Sequence, residues 1–256
     1  MSEPSGCSWD ELLRLFPSDR YLSFDVDRAS VIRAASTATA WSFRGRSTYW
    51  SADWVTVWSR GQDSPERAAD VAEHFAWHQA ADDGGHIRGI TCNEVVPIPS
   101  ASAVAAANDW SWMWTDQSHA RVHAQSSVVA VDHADPRLVA LLAHSPTASH
   151  ERDGVPPTGW FGLFEGEELI SVAAVKRQGD CTFISSVVTH RDARGRGMAS
   201  AVCSHVTAWA LGQAPVVALG MMSDNAIAER MYAQLGFRVE KRWQSARFEI
   251  GEPSRR

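Results

Sequence analysis

Residues 191–197 read Arg-Asp-Ala-Arg-Gly-Arg-Gly, so three arginines and two glycines occupy seven positions before the chain turns apolar in "MASAVC". Such a composition suits an oxyanion. Guanidinium groups make charge-assisted, often bidentate bonds to phosphate and carboxylate. Glycines let backbone amides approach with no side chain in the way. A helix starting near Gly197 adds unpaired N–H groups and a partial positive charge. Three readings compete: a basic patch for nucleic acid, a glycine-rich surface turn, and a cradle for one pyrophosphate. The formal net charge of −6 counts against nucleic acid, because duplex-binding domains are usually basic over a whole face. The turn is not a P-loop, which ends in Gly-Lys-Ser/Thr. Nor is it a dinucleotide fingerprint, since Ser200 stands where a third glycine or alanine belongs.

A second stretch, "DNAIAERMYAQLGF" over 224–237, lies about thirty residues further on. Ala228, Met231, Tyr232 and Leu235 fall on one helical stripe, and Gly236 suits the left-handed position after a helix. On spacing alone, Tyr232 continues the apolar stripe with Met231 and Leu235. A third set, His74, His78 and Asp82, falls at i, i+4 and i+8 with His86 beyond. A His-Glu-x-x-His order is missing and no cysteine is near, so a solvated or packed helix face is expected there and no metal. Cys7, Cys92, Cys181 and Cys203 are scattered without a Cys-x-x-Cys pair, as for reduced thiols of a cytoplasmic protein.

These residues need elements to position them. Ser8 and Glu11 form a capping box ahead of a short helix ending before Pro17. Residues 27–40 read as a second helix, 47–58 as a strand, and 63–83 as a helix with Ser64 as its cap and Pro65 at its first position. Residues 86–96 read as a strand. Trp110, Trp112 and Trp114 alternate, so an extended strand would place all three on one face, clamping two halves of the chain. A domain junction is placed near 110–125, dividing the chain into 1–120 and 121–256. The second half reads strand, helix and three strands with turns at Glu165–Glu168 and Gln178–Asp180. Then come a helix with Val202, Val206, Trp209 and Ala210 on one face, a strand, the Tyr232 helix and two closing strands. The expected fold class is α/β, a mixed and mostly antiparallel sheet flanked by helices.

Composition agrees with a globular protein: 45% hydrophobic and 21% charged residues, with twelve tryptophans expected mainly in packing. No stretch approaches the ~20 apolar residues that span a bilayer, and the acidic start lacks the order of a secretory signal. Neither membrane nor nucleic acid is an expected partner. The final "SRR" reads as a disordered tail.

"RGRGMA" resembles the Arg/Gln-x-x-Gly-x-Gly/Ala signature of the GNAT superfamily of acetyl-CoA-dependent N-acetyltransferases, with Arg194 opening the match, Gly197 at its centre and Ala199 at its end. "DNAIAERMYAQLGF" is similar to that family's Asn-x-x-Ala-x-x-x-Tyr-x-x-x-Gly-Phe motif, through Asn225, Ala228, Tyr232, Gly236 and Phe237. The resemblance covers about 127–250 and is nearest to members with FR47-like C-terminal domains. It implies a GNAT-type sheet, with the N-terminal domain a degenerate copy or an unrelated cap that shapes the acceptor site.

The resemblance also assigns roles. Arg194, Gly195, Arg196, Gly197, Met198 and Ala199 would hold the pyrophosphate of acetyl-CoA, the co-substrate, joined by Asn225 and Ala228. Val187, Val188 and Thr189 would pair with its pantetheine arm where the strand splays from "VVALGMM". Tyr232 would protonate the departing thiolate after direct attack by a primary amine of a small molecule. Relatives often carry Glu or Asp in the preceding strand, whereas Ser185 and Ser186 stand here, so the general base is unassigned and His190 reads as a surface residue. A homodimer is compatible with this reading. The alternative function is a non-catalytic acyl-CoA-binding regulatory or scaffold protein.

Overall fold

The computed structural model describes residues 3–47, 52–81, 86–99, 104–119, 127–150 and 157–249. Asp82, the 120–126 part of the junction and the C-terminal tail lie outside them.

Largely buried strands organise the N-terminal half. The capping box forms as expected: Ser8 and Glu11 bond reciprocally at the start of α1 (Trp9–Leu15). A strand that the sequence did not signal, β1 (Ser5–Cys7), precedes it and pairs with β2 (Val31–Ser36). The expected helix over 27–40 is therefore corrected to a 3₁₀ turn at Arg28–Ser30 leading into β2. Helix propensity there is a weak local preference. It loses to two flanking strands and to burial of Ala34 and Ala35. The meander continues through β3 (Ala40–Ser47) and β4 (Ala52–Ser59); of the strand expected over 47–58, residues 52–58 lie in β4, Ser47 ends β3, and 48–51 lie outside the described residues. Helix α2 (Ser64–Gln79) then crosses to β5 (Ile87–Asn93), which lies parallel to β4. Its cap is Asp63, whose carboxylate accepts from the Glu66 amide, and not Ser64. Asp is the better acceptor at a helix start because its charge also meets the dipole.

The C-terminal half repeats this pattern. After β6 (Val104–Thr115) come β7 (Val128–Val131), the short α3 (Pro136–Leu142) and a second antiparallel meander. That meander is β8 (Gly159–Glu165), β9 (Glu168–Gln178) and β10 (Cys181–Thr189). Helix α4 (Met198–Leu211) crosses to β11 (Val217–Met222), parallel to β10 as β5 is to β4. Helix α5 (Ala226–Gln234) leads into β12 (Arg238–Phe248), one continuous strand where two were expected.

The twelve strands join in one sheet, in the order β1-β2-β3-β4-β5-β12-β6-β11-β10-β9-β8-β7. The halves exchange strands at the centre. β6 leaves the first half to pair with β11, β12 leaves the second to pair with β5, and the two pair with each other. On one face Trp112, Trp114 and the half-buried Trp110 join a cluster with Leu12, Phe16, Leu22, Trp41 and Trp243. The tryptophan stripe thus packs N-terminal residues against the second half's sheet. On the other face α4 and α5 bury Val202, Val206, Ala210, Tyr232 and Leu235. Trp209 departs from expectation. It is 36% exposed, at the edge of the α4 face, with its ring 4.9 Å from that of Phe161.

Candidate active site

The site starts from an irregularity in β10. Its parallel pairing with β11 covers only Thr182–Ile184 against Val217–Leu219. Beyond that point β11 goes on pairing with β6 to Met222, while β10 continues to Thr189 along β9. The register with β9 slips between Ser185 and Val188, and Ser186 takes a positive φ of 48°. A β-bulge bends its strand and increases local twist, so β10 turns away from β11 here. Val187, Val188 and Thr189 lie on the diverging segment. Val188 is buried on the α3 face, and past Ile184 no strand among the described residues pairs with the β11 side of the segment, where the Thr189 carbonyl accepts from Arg194.

The chain then caps a 3₁₀ turn, Arg191–Ala193, and reaches Gly195 and Gly197 at φ 75° and 80°. Only glycine holds both positions without strain, and a Cβ at either would meet nothing within 4 Å. The concavity is open. Gly197 is the N-cap of α4 and supplies no capping side chain. The first α4 amide with an acceptor is Ala201, bonded to the Gly197 carbonyl at 3.0 Å. Among the described residues the amides of Gly195, Arg196, Gly197, Met198, Ala199 and Ser200 therefore have no partner. The sequence-based set stops at Ala199. A helix start at Met198 also frees the Ser200 amide, and the position of that start was the available signal.

The two loop arginines divide their work. Arg194 donates to the Thr189 carbonyl at 3.3 Å and the His144 carbonyl at 3.1 Å, fastening the loop to β10 and to the end of α3. Arg196 reaches Glu165 at the end of β8 with both terminal guanidinium nitrogens. Glu165 is 31 residues away in sequence and has no local signature, so only the folded sheet reveals it.

The second motif serves α5. The Asn225 side chain accepts from the Ala228 amide at 3.1 Å, so these two residues form the helix cap. Tyr232 is 6% exposed inside the α4–α5 core, in the same buried cluster as the Cys203 thiol. Burial, then the neighbouring thiol, holds the phenol well above its ordinary pKa. Gly236 closes α5 at φ 93°.

Ser186 is occupied by the loop before β8: it donates to the Ser149 carbonyl at 2.9 Å and accepts from the Ser149 amide at 3.2 Å. His190 is 24% exposed and caps the 3₁₀ turn through Nδ1, which accepts from the Asp192 amide. It is a partly buried loop-fixing residue beside the His144 ring, not a free surface histidine. Far from this site, His74 and His78 are fully buried, and Ser42 bridges them at 2.7 and 2.9 Å. Burial lowers His74 to about 4. The histidine face of α2 is thus packed. Among the described residues no group of three metal-ligating side chains forms, and no helix is long and apolar enough to cross a membrane.

The family model for the acetyltransferase (GNAT) family matches residues 108–237, just over half of the chain. A GNAT-family structure from Novosphingobium aromaticivorans aligns with a TM-score of 0.56 at 19% identity, covering 91% of this chain and all of its own. A Drosophila protein aligns equally well, TM-score 0.56 at 12% identity, over 97% and 99% of the two chains. At these identities the two structures speak for the fold. Among curated proteins there is no match. With its family model spanning the splayed strands, the glycine-arginine turn and the Tyr232 helix, the chain belongs to the GNAT family of acetyltransferases, acyltransferases that use acetyl-CoA as co-substrate.

Proposed function

We propose that the protein transfers an acetyl group from acetyl-CoA to a primary amine of a small molecule. The observation that carries this reading is the row of unpartnered amides from Gly195 to Ser200 at the start of α4. It stands beside the β10 segment that has parted from β11. The two features fit two parts of one ligand, a pyrophosphate and an extended amide-bearing arm.

When bound, acetyl-CoA supplies a thioester carbonyl for a neutral amine to attack. The backbone of Gly195–Ser200 holds the pyrophosphate, and Arg196 adds charge by exchanging Glu165 for phosphate oxygen. Val187–Thr189 bond the arm as a strand bonds at a sheet edge. Asn225 and Ala228 fix the start of α5 and so the placement of Tyr232. Tyr232 donates a proton to the departing sulfur. Its raised pKa keeps the phenol protonated at neutral pH, as a donor requires. Ser186 and His190 are both engaged in holding loops, so removal of the amine proton is left to solvent.

The N-terminal half reads as a degenerate copy of the same fold, supported by its repeated meander, helix crossover and parallel strand. Its Leu12, Phe16, Tyr21 and Leu22 cover the sheet face carrying Trp112 and Phe183. From there it shapes the acceptor side.

The test is thiol release from acetyl-CoA across a panel of small amines. Release with some amines, abolished by Gly197→Asp, supports the reading. Coenzyme binding without release across the panel would favour a non-catalytic acyl-CoA-binding role.

A further inference from the structure

The repeat gives the first half its own counterpart of the cofactor cleft, at the C-terminal ends of β4 and β5. There the local chemistry differs. The parallel pairing of β4 with β5 ends at Thr56 and Thr91, and past that point the Asn93 side chain bridges the two strands. It accepts from the Ser59 amide at 2.8 Å and donates to the Ser59 carbonyl at 3.0 Å. The loop into α2 satisfies several of its own donors. Gly61 N–H donates to Ser59 Oγ, Gln62 N–H to Glu66, and Glu66 N–H to Asp63, at 2.8–2.9 Å. This helix start offers a pyrophosphate fewer open amides than the start of α4, and a Cβ on Gly61 would lie 2.9 Å from Glu66.

Beside this closed loop is an open pocket of about 370 Å³, lined by Trp58, Arg60, Arg67, Asn93, Glu94 and Arg242 among others. That volume falls in the range of small-molecule sites. Its charge is unbalanced. Arg60 lies over the Phe16 ring at 4.6 Å, and among the described residues no carboxylate comes within ion-pair distance of it. Arg67 donates to the carbonyls of Gly61 and Gln62. Arg242, from the exchanged strand β12, is held by Glu229 and by Ser111. Three guanidinium groups stand against the lining carboxylate Glu94 and against Glu229, which pairs with Arg242, so the surplus charge is positive. Trp58 gives the pocket a rigid wall, its ring set 4.9 Å from that of Trp243.

We propose that this pocket binds a small dianionic oxyanion, a phosphate or a dicarboxylate, gripped by the side chains of Arg60, Arg67 and Arg242. Guanidinium forks match both oxyanions, and three forks offer more donors than a single carboxylate can accept. Because β12 also carries the chain away from α5, an occupant contacting Arg242 touches both halves of the molecule.

The test is titration calorimetry on the full chain at constant ionic strength, with phosphate, succinate and acetate, in the presence and absence of saturating coenzyme A. The expected result is saturable binding of phosphate or succinate, with acetate at least tenfold weaker. Coenzyme A should leave it unchanged, and Arg60→Gln should weaken it at least tenfold. Which dianion binds tighter distinguishes phosphate from carboxylate ligands. Arg242→Gln, the second variant, should weaken binding as well, and Arg60→Lys should recover part of the affinity. Absence of saturable binding overturns the proposal. So does binding that coenzyme A abolishes and Arg60→Gln leaves intact, which would put the anion in the Gly195–Ser200 cradle.

Discussion

Arg196 and Glu165 form a two-pronged ion pair at the rim of the glycine cradle, joining the loop before α4 to the end of β8. The two side chains are about half exposed, so solvent screens the pair and it opens easily. It parks the guanidinium beside the position where a phosphate would sit. Glu165→Gln should release Arg196 and lower KM for acetyl-CoA roughly two- to fivefold. Arg196→Gln should raise it. Initial-rate kinetics on both variants check this, and equal KM values would remove Arg196 from phosphate binding.

The two glycines answer to backbone geometry. A side chain at Gly195 or Gly197 meets no neighbour, yet each φ lies in the left-handed region. Gly197→Ala should therefore destabilise by about 1–2 kcal/mol through strain alone. Coenzyme binding should weaken further, because relaxing that strain turns the amides. Chemical denaturation and coenzyme titration of the same variant separate the two effects.

Tyr232 and Cys203 meet inside the α4–α5 core. Tyr232→Phe keeps the ring and removes the proton. As a general acid, its loss should lower kcat roughly 10²-fold with KM for acetyl-CoA little changed. The wild-type rate should show no fall below about pH 10 from ionisation of this phenol, since its pKa is raised. An unchanged kcat at saturating substrates would return Tyr232 to packing.

Acid stability depends on two buried groups of opposite sign. Burial lowers His74 from 6.5 to about 4, so the folded state binds fewer protons than the unfolded one between those values. Stability on this account is full above pH 6.5 and lost as pH falls. Burial raises Asp25 to about 6, against the bond from Gln178, so the folded state gains stability as pH falls from 6 toward 3.8. Each effect amounts to ~3 kcal/mol and they nearly cancel. Asp25→Asn should uncover the histidine limb, with stability dropping ~3 kcal/mol more than wild type between about pH 6.5 and 4. Urea midpoints at those pH values read this directly, and parallel curves would contradict it.

The tryptophan stripe is a packing device, with Trp112 fully buried in the cluster that joins the two halves. Trp112→Ala should cost ~3–5 kcal/mol. A melting temperature indistinguishable from wild type would sink that role.

What the sequence determined by itself was local. Capping at Ser8, the turns between β8, β9 and β10, the helix start after Gly197 and the stop at Gly236 each depend on residues within one turn of one another, and they stand in the structure. The glycine-arginine loop was legible for the same reason: conformational freedom and charge sit in adjacent residues. Tertiary structure decided whatever rests on distant partners. Residues 31–36 become a strand because β1 and β3 flank them. Glu165 and Cys203 find Arg196 and Tyr232 across the fold. The exchange of β6 and β12 brings Arg242 to Arg60 and Arg67 around one pocket. Sheet pairing has no fixed sequence separation, so no short window of residues encodes these meetings.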